Sequence, residues 1–89
     1  MTRKFLITFD LKTAGRNYDS FFTALRNIGP WWHYLSSTWI VKGSNLNAVQ
    51  IYDALAPHLG SNDHILVVEI DTRTKWGYLP MDAWRWLDS

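Results

Sequence analysis

The chain of 89 residues contains no cysteine, which excludes disulfide scaffolds, zinc knuckles and thiol catalysis. It also lacks a charge excess. Nine Lys and Arg stand against eight Asp and Glu, a net charge of +1, far from the basic balance of a tight nonspecific duplex binder. No apolar run approaches the ~20 residues that a membrane span requires. The opening MTRKFLITFD reads as a strand rather than a signal peptide, so a soluble, cytoplasmic protein without a membrane partner is expected. There is no internal repeat and no low-complexity segment. Hydrophobic residues make up 47% and charged residues 19%, which excludes a disordered chain.

What the sequence has in excess is aromatic side chains: six Trp, four Tyr and four Phe. A domain of this size buries only roughly 60–65% of the surface its unfolded form exposes. Fourteen rings exceed what such a core hides, so some are expected to face a partner.

The hydrophobic spacing predicts one domain over residues 1–89, with 71–89 as a C-terminal tail contributing to dimerisation. Lys4–Asp10, KFLITFD, alternates as a strand, with Phe5, Ile7 and Phe9 on one face. Tyr18, Phe21, Phe22, Leu25 and Ile28 then recur as one helical stripe, closed by Gly29-Pro30. Trp31–Leu35 and Thr38–Lys42 read as two short strands turning at Ser36-Ser37. Asn47 with Gln50 forms a capping-box pattern before a helix that buries Ala48, Ile51, Leu55 and Leu59 and loses regularity at Pro57. His64–Ile70, HILVVEI, reads as a strand covered on both faces. In the tail, an extended piece near Trp76 and a short helix after Pro80 with Met81, Trp84 and Leu87 inward are expected.

This order predicts an α+β, ferredoxin-like βαββαβ sandwich: a four-stranded sheet, spatial order fourth-first-third-second, with two helices on one face. The uncovered face would hold Leu6 and several of Trp31, Trp32, Tyr34, Trp39 and Ile40. At ~25 cal/mol per Å2, leaving these wet forfeits several kcal/mol, so a symmetric homodimer, sheet to sheet, is expected. Its interface would use Trp31, Trp39, Trp76 and Trp84.

With the first and third strands parallel neighbours, the end of the first strand would gather Asp10, Asp63, His64 and Lys42 on one rim, with Trp31–His33 one strand further out. Two readings of Asp10 stand side by side. It could hold Mg2+ or Mn2+ with its symmetry mate for phosphodiester hydrolysis, or cap the following loop through the amides of Lys12 or Thr13 as an Asx-turn. His33 reads either as a general acid–base or as a hydrogen-bonded structural residue. His64 reads similarly, and His58 as structural near a helix C-terminus. Lys12, Arg16 and Lys42 could meet phosphates of RNA or DNA, or form a solvated rim. The aromatic rings could stack bases or pack a dimer interface. No Gly-rich phosphate loop, nucleophile elbow or metal-spaced His/Cys cluster is present.

The strand ending FLITFDL, the block WWHYLSSTWIV, the helix NAVQIYDAL, and HILVVEI followed by a W-G turn resemble the SinR family. These are small relatives of the ferredoxin-fold CRISPR-associated integration subunit and of VapD-type interferases. The resemblance covers residues 4 to about 77. It implies a homodimer with facing sheets and, from the CRISPR-associated relatives, a strand-terminal aspartate paired across the dimer, which is Asp10 here, holding a divalent metal. It also implies a nucleic-acid scaffold role in which hydrolysis is often dispensable. The sequence departs from those relatives in its near-neutral charge. Three functions therefore remain open: a nucleic-acid-associated homodimer with metal-dependent nuclease activity, a non-catalytic dimeric module for a protein partner, and a small-ligand binder between protomers.

Overall fold

The computed structural model describes residues 2–89. Strand β1 (Arg3–Asp10) is followed by helix α1 (Asp19–Arg26), strands β2 (Trp31–Leu35) and β3 (Thr38–Gly43), helix α2 (Ala48–Leu55), strand β4 (His64–Ile70) and helix α3 (Met81–Asp88), with a 3-10 turn at Ala56–His58. The sheet order is β2-β3-β1-β4, the arrangement expected of a ferredoxin-like sandwich. Helices α1 and α2 bury Phe21, Leu25, Ile51 and Leu55 against Phe5, Ile7, Trp39 and Val41 of the sheet. The capping box forms as the sequence predicts. Asn47 Oδ1 accepts from the Gln50 amide, and Gln50 Oε1 accepts from the Asn47 amide, both at 2.9 Å.

Two strand expectations are corrected. β1 and β3 are antiparallel, not parallel, with Phe5 opposite Val41 and Ile7 opposite Trp39. The helical crossover α1 returns the chain so that β2 runs with β1, and the tight β2–β3 turn then inserts β3 between them in the reverse sense. β4 is covered on its helix face, and on the other face only at Ile70. Ile65 and Val67 pack on the helix-side core, whereas Leu66 and Val68 are 57% and 40% exposed.

The largest departure concerns the second face of the sheet. The tail of the same chain folds back over part of it, and Leu66 and Val68 stay exposed beside the covered part. Trp32 and Ile40 are buried against Ala83 and Leu87 of α3, with Ile70, Leu79, Trp84 and Trp86 around them. The Trp32 indole N–H donates to the Ala83 carbonyl at 3.2 Å, and the Lys42 ammonium lies 4.4 Å from the centre of the Trp86 ring. Lys75 ties the preceding loop to the Thr72 carbonyl at 2.7 Å and to the Asp88 carboxylate at 2.6 Å. The buried stripe of α3 is Ala83 and Leu87 rather than Met81, Trp84 and Leu87. Met81 is 65% exposed, because close approach of the helix to the Trp32 ring requires a small residue at the contact. Residues 71–80 are irregular, so the extended piece expected near Trp76 is absent.

Candidate functional site

Strand parity separates the aromatic block. Trp32 pairs with Ile40 on the α3 side, whereas Trp31 pairs with Val41 on the α1/α2 side. Trp39 shares that helix side through its partner Ile7, and at 2% exposure it is core rather than interface. The expectation that Trp39 lines a dimer contact is therefore corrected: alternation in β3 turns it away from the face that Ile40 occupies. Trp31 lies 5.1 Å from Trp39 by ring centroids and stays partly exposed. Trp84 is half-buried, its indole N–H donating to the Leu79 carbonyl at 3.2 Å. Trp76, by contrast, is 96% exposed in the tail loop, with Tyr78 fully exposed two residues on.

At the end of β1, Asp10 pairs directly with His64. The two line a shallow open groove of about 290 Å3 with Thr8, Phe9, Ile65 and Leu66. The amine at this rim is Lys12, whose Nζ lies 3.0 Å from Asp10 Oδ2 with both side chains more than half exposed. Such a pair contributes ~0–1 kcal/mol. Lys42 is not at this rim. The antiparallel register carries it to the opposite end of the sheet, beside Lys4 and under the tail, where its ammonium also donates to the Ser89 hydroxyl. Burial there, with the Lys4 charge, pushes the Lys42 pKa below its ordinary value.

His33 is also separated from Asp10. Its ring stacks on Trp39 at 4.3 Å and 17° on the helix side, with Nε2 3.1 Å from the Ser36 carbonyl. Asp10 lies on the other face with His64. The two candidate catalytic residues, Asp10 and His33, are therefore not brought together, because β1 and β2 present these positions to opposite faces. Lys12 and Arg16 share the loop after β1, but the Arg16 guanidinium Nε donates to the His58 carbonyl at 3.1 Å. Lys12, Arg16 and Lys42 do not form one basic patch.

The residue that organises the β1–α1 loop is Asp63, not Asp10. Asp63 Oδ1 accepts from the Lys12 amide at 2.8 Å, the Thr13 amide and hydroxyl at 3.0 Å each, and the Tyr18 hydroxyl at 2.6 Å. Its Oδ2 accepts from the Gly60 amide at 2.7 Å. The Asx-turn expected of Asp10 is thus performed from across the sheet end. Desolvation raises the Asp63 pKa, but the Tyr18 hydroxyl and the Gly60, Lys12 and Thr13 amides outweigh it and hold the group well below the usual carboxylate range. Four of these five bonds fall on Oδ1 and one on Oδ2, so the carboxylate serves chiefly to hold the loop. The signal in the sequence was the turn-rich Gly60-Ser61-Asn62-Asp63 before β4, where an Asp entering a strand can reach back to a neighbouring loop.

One chain therefore brings to this rim one carboxylate outside the loop's own hydrogen bonds, Asp10, with the Lys12 ammonium in an exposed pair beside it. Among the described residues no group of three or more His, Asp or Glu side chains is arranged to hold a metal. One chain supplies one carboxylate to such a site, and the paired arrangement expected for Mg2+ or Mn2+ would take its second from another copy. Also among the described residues, no helix is long and apolar enough to cross a membrane. No family model, curated protein or solved structure matches the chain.

Proposed function

We propose that the protein is a non-catalytic, homodimeric interaction module whose uncovered apolar surface serves a second copy and a protein partner. The observation that carries this reading is the distribution of rings and aliphatic side chains left outside the core after the tail has covered its share of the sheet. Leu66 and Val68 form an exposed strip on β4, and Trp76 and Tyr78 stand clear of the tail loop. Trp and Tyr supply large contact areas at low entropy cost, which favours them as anchors in protein interfaces. The cations flanking this loop are committed to carboxylates, Arg73 to Asp71 and Lys75 to Asp88. That pairing favours a protein over a polyanion as the loop's partner.

Light scattering at increasing concentration tests the dimer: a mass of twice 10.4 kDa is expected, and a single-chain mass at every concentration refutes it. One observation favours the phosphodiester reading suggested by the SinR-like resemblance, namely Asp10 and His64 side by side on an open groove. Labelled RNA and DNA incubated with Mg2+ or Mn2+ decide between the two. No cleavage above background is expected; cleavage lost in Asp10→Ala would replace the non-catalytic reading with a nuclease.

A further inference from the structure

The two edges of the sheet differ. The β2 edge is short, follows Pro30, and shifts register between Trp32 and Leu35, features that discourage strand addition. β4 is the opposite. It pairs with β1 through seven consecutive residues without irregularity, from Ile70 opposite Lys4 to His64 opposite Asp10. It contains no Pro and no Lys, and its outer edge carries unpaired backbone donors and acceptors. The surface on both sides of that edge is apolar. On the second face, Leu66 and Val68 are exposed; on the helix face, Val49 and Tyr52 of α2 are exposed and border a groove against Ile65 and Val67. An unprotected edge flanked by apolar side chains above and below is a template for another strand.

We infer that β4 pairs antiparallel with β4 of a second copy about a two-fold axis through Val67, joining two four-stranded sheets into one of eight. This names the contact within the dimer proposed above and rests on that reading. Val67 is the midpoint of His64–Ile70, so this register alone pairs all seven residues of each strand. Each Leu66 then lies opposite the partner's Val68, merging the two exposed strips, while Glu69 meets an isoleucine rather than a like charge. With the axis perpendicular to the sheet, the helix faces stay on one side, so Val49 and Tyr52 of the two α2 helices approach across the groove. α3 stays clear, because its contacts lie over β2, β3 and the Ile70 end of β4.

The test pairs a charge substitution with a measurement on the unaltered chain. Leu66→Lys with Val68→Lys places lysines opposite lysines twice, and both positions are exposed, so the fold is preserved by circular dichroism. The dissociation constant is expected to rise about tenfold or more. Trp76→Lys with Tyr78→Lys, in the tail loop, leaves it unchanged. In the unaltered chain, β4 amides gain hydrogen-exchange protection as concentration rises through the dissociation constant. A dimer that survives Leu66→Lys/Val68→Lys and shows no concentration-dependent protection in β4 overturns the edge pairing while the dimer itself stands. A chain that never dimerises overturns both.

Discussion

Leu87→Ala tests whether the tail is a separable third layer. Leu87 is buried against Trp32 and Ile40 from the last turn of α3, where Thr72 Oγ1 donates to its carbonyl at 3.2 Å. Removing three buried carbons forfeits ~2.4 kcal/mol at ~0.8 per methylene, and a site near the helix end relaxes enough to add little for a cavity. A loss of about 2–3 kcal/mol follows. An eight-residue helix has no stability of its own, so this loss acts on the docking of α3 before it acts on the sandwich beneath. Native-state hydrogen exchange reads the two separately. Protection of the α3 amides is expected to fall about 30- to 150-fold, while that of Phe5 and Ile7 in β1 is unchanged under conditions where those amides exchange by local opening. An equal fall in both places, or none in α3, refutes the layered organisation. Total stability at this length is roughly 4–13 kcal/mol, so the variant remains folded and the comparison can be made.

Two further predictions concern the loops that frame the sheet. The Asp63 pKa lies below its unfolded value of ~3.9, so the unfolded chain binds more protons in acid and the stabilisation is full above about pH 4, then lost as pH falls through the folded pKa. Asp71, held down to about 2 chiefly by hydrogen bonds from the Arg73 side chain and then its amide, acts in the same sense. Urea midpoints are expected to fall from pH 5 to pH 2.5 and to fall less in Asp63→Asn; identical slopes would refute the loop assignment. Gly29→Ala would put a methyl carbon 2.4 Å from the Lys42 carbonyl oxygen, where Lys42 N–H already donates to the Pro30 carbonyl at 2.9 Å. A cost of about 1–3 kcal/mol is expected, measured as a shift in the denaturation midpoint, and an unchanged midpoint contradicts the close approach.

Local patterning determined the elements of this protein. The period-2 alternation of β1, the Asn47–Gln50 box and the stop at Gly29-Pro30 each act over a few residues, and each is where the sequence places it. The strand order followed as well, because two crossovers and one tight turn leave few arrangements of four strands. Tertiary structure decided which face each ring occupies and which polar groups meet. In WWHYLSSTWIV the adjacent pair Trp31-Trp32 and the run Trp39-Ile40-Val41 are apolar without interruption, so alternation carries no contrast there, and only pairing with Phe5 and Ile7 sends Trp31 and Trp39 one way and Trp32 and Ile40 the other. The direction of β3 moved Lys42 away from Asp10, and a contact spanning fifty residues gave the β1–α1 loop its carboxylate from Asp63. The tail had two apolar stripes to choose between. Docking against Trp32 selected the one with Ala83, because a close helix–sheet approach depends on side-chain size, which hydrophobic periodicity does not encode.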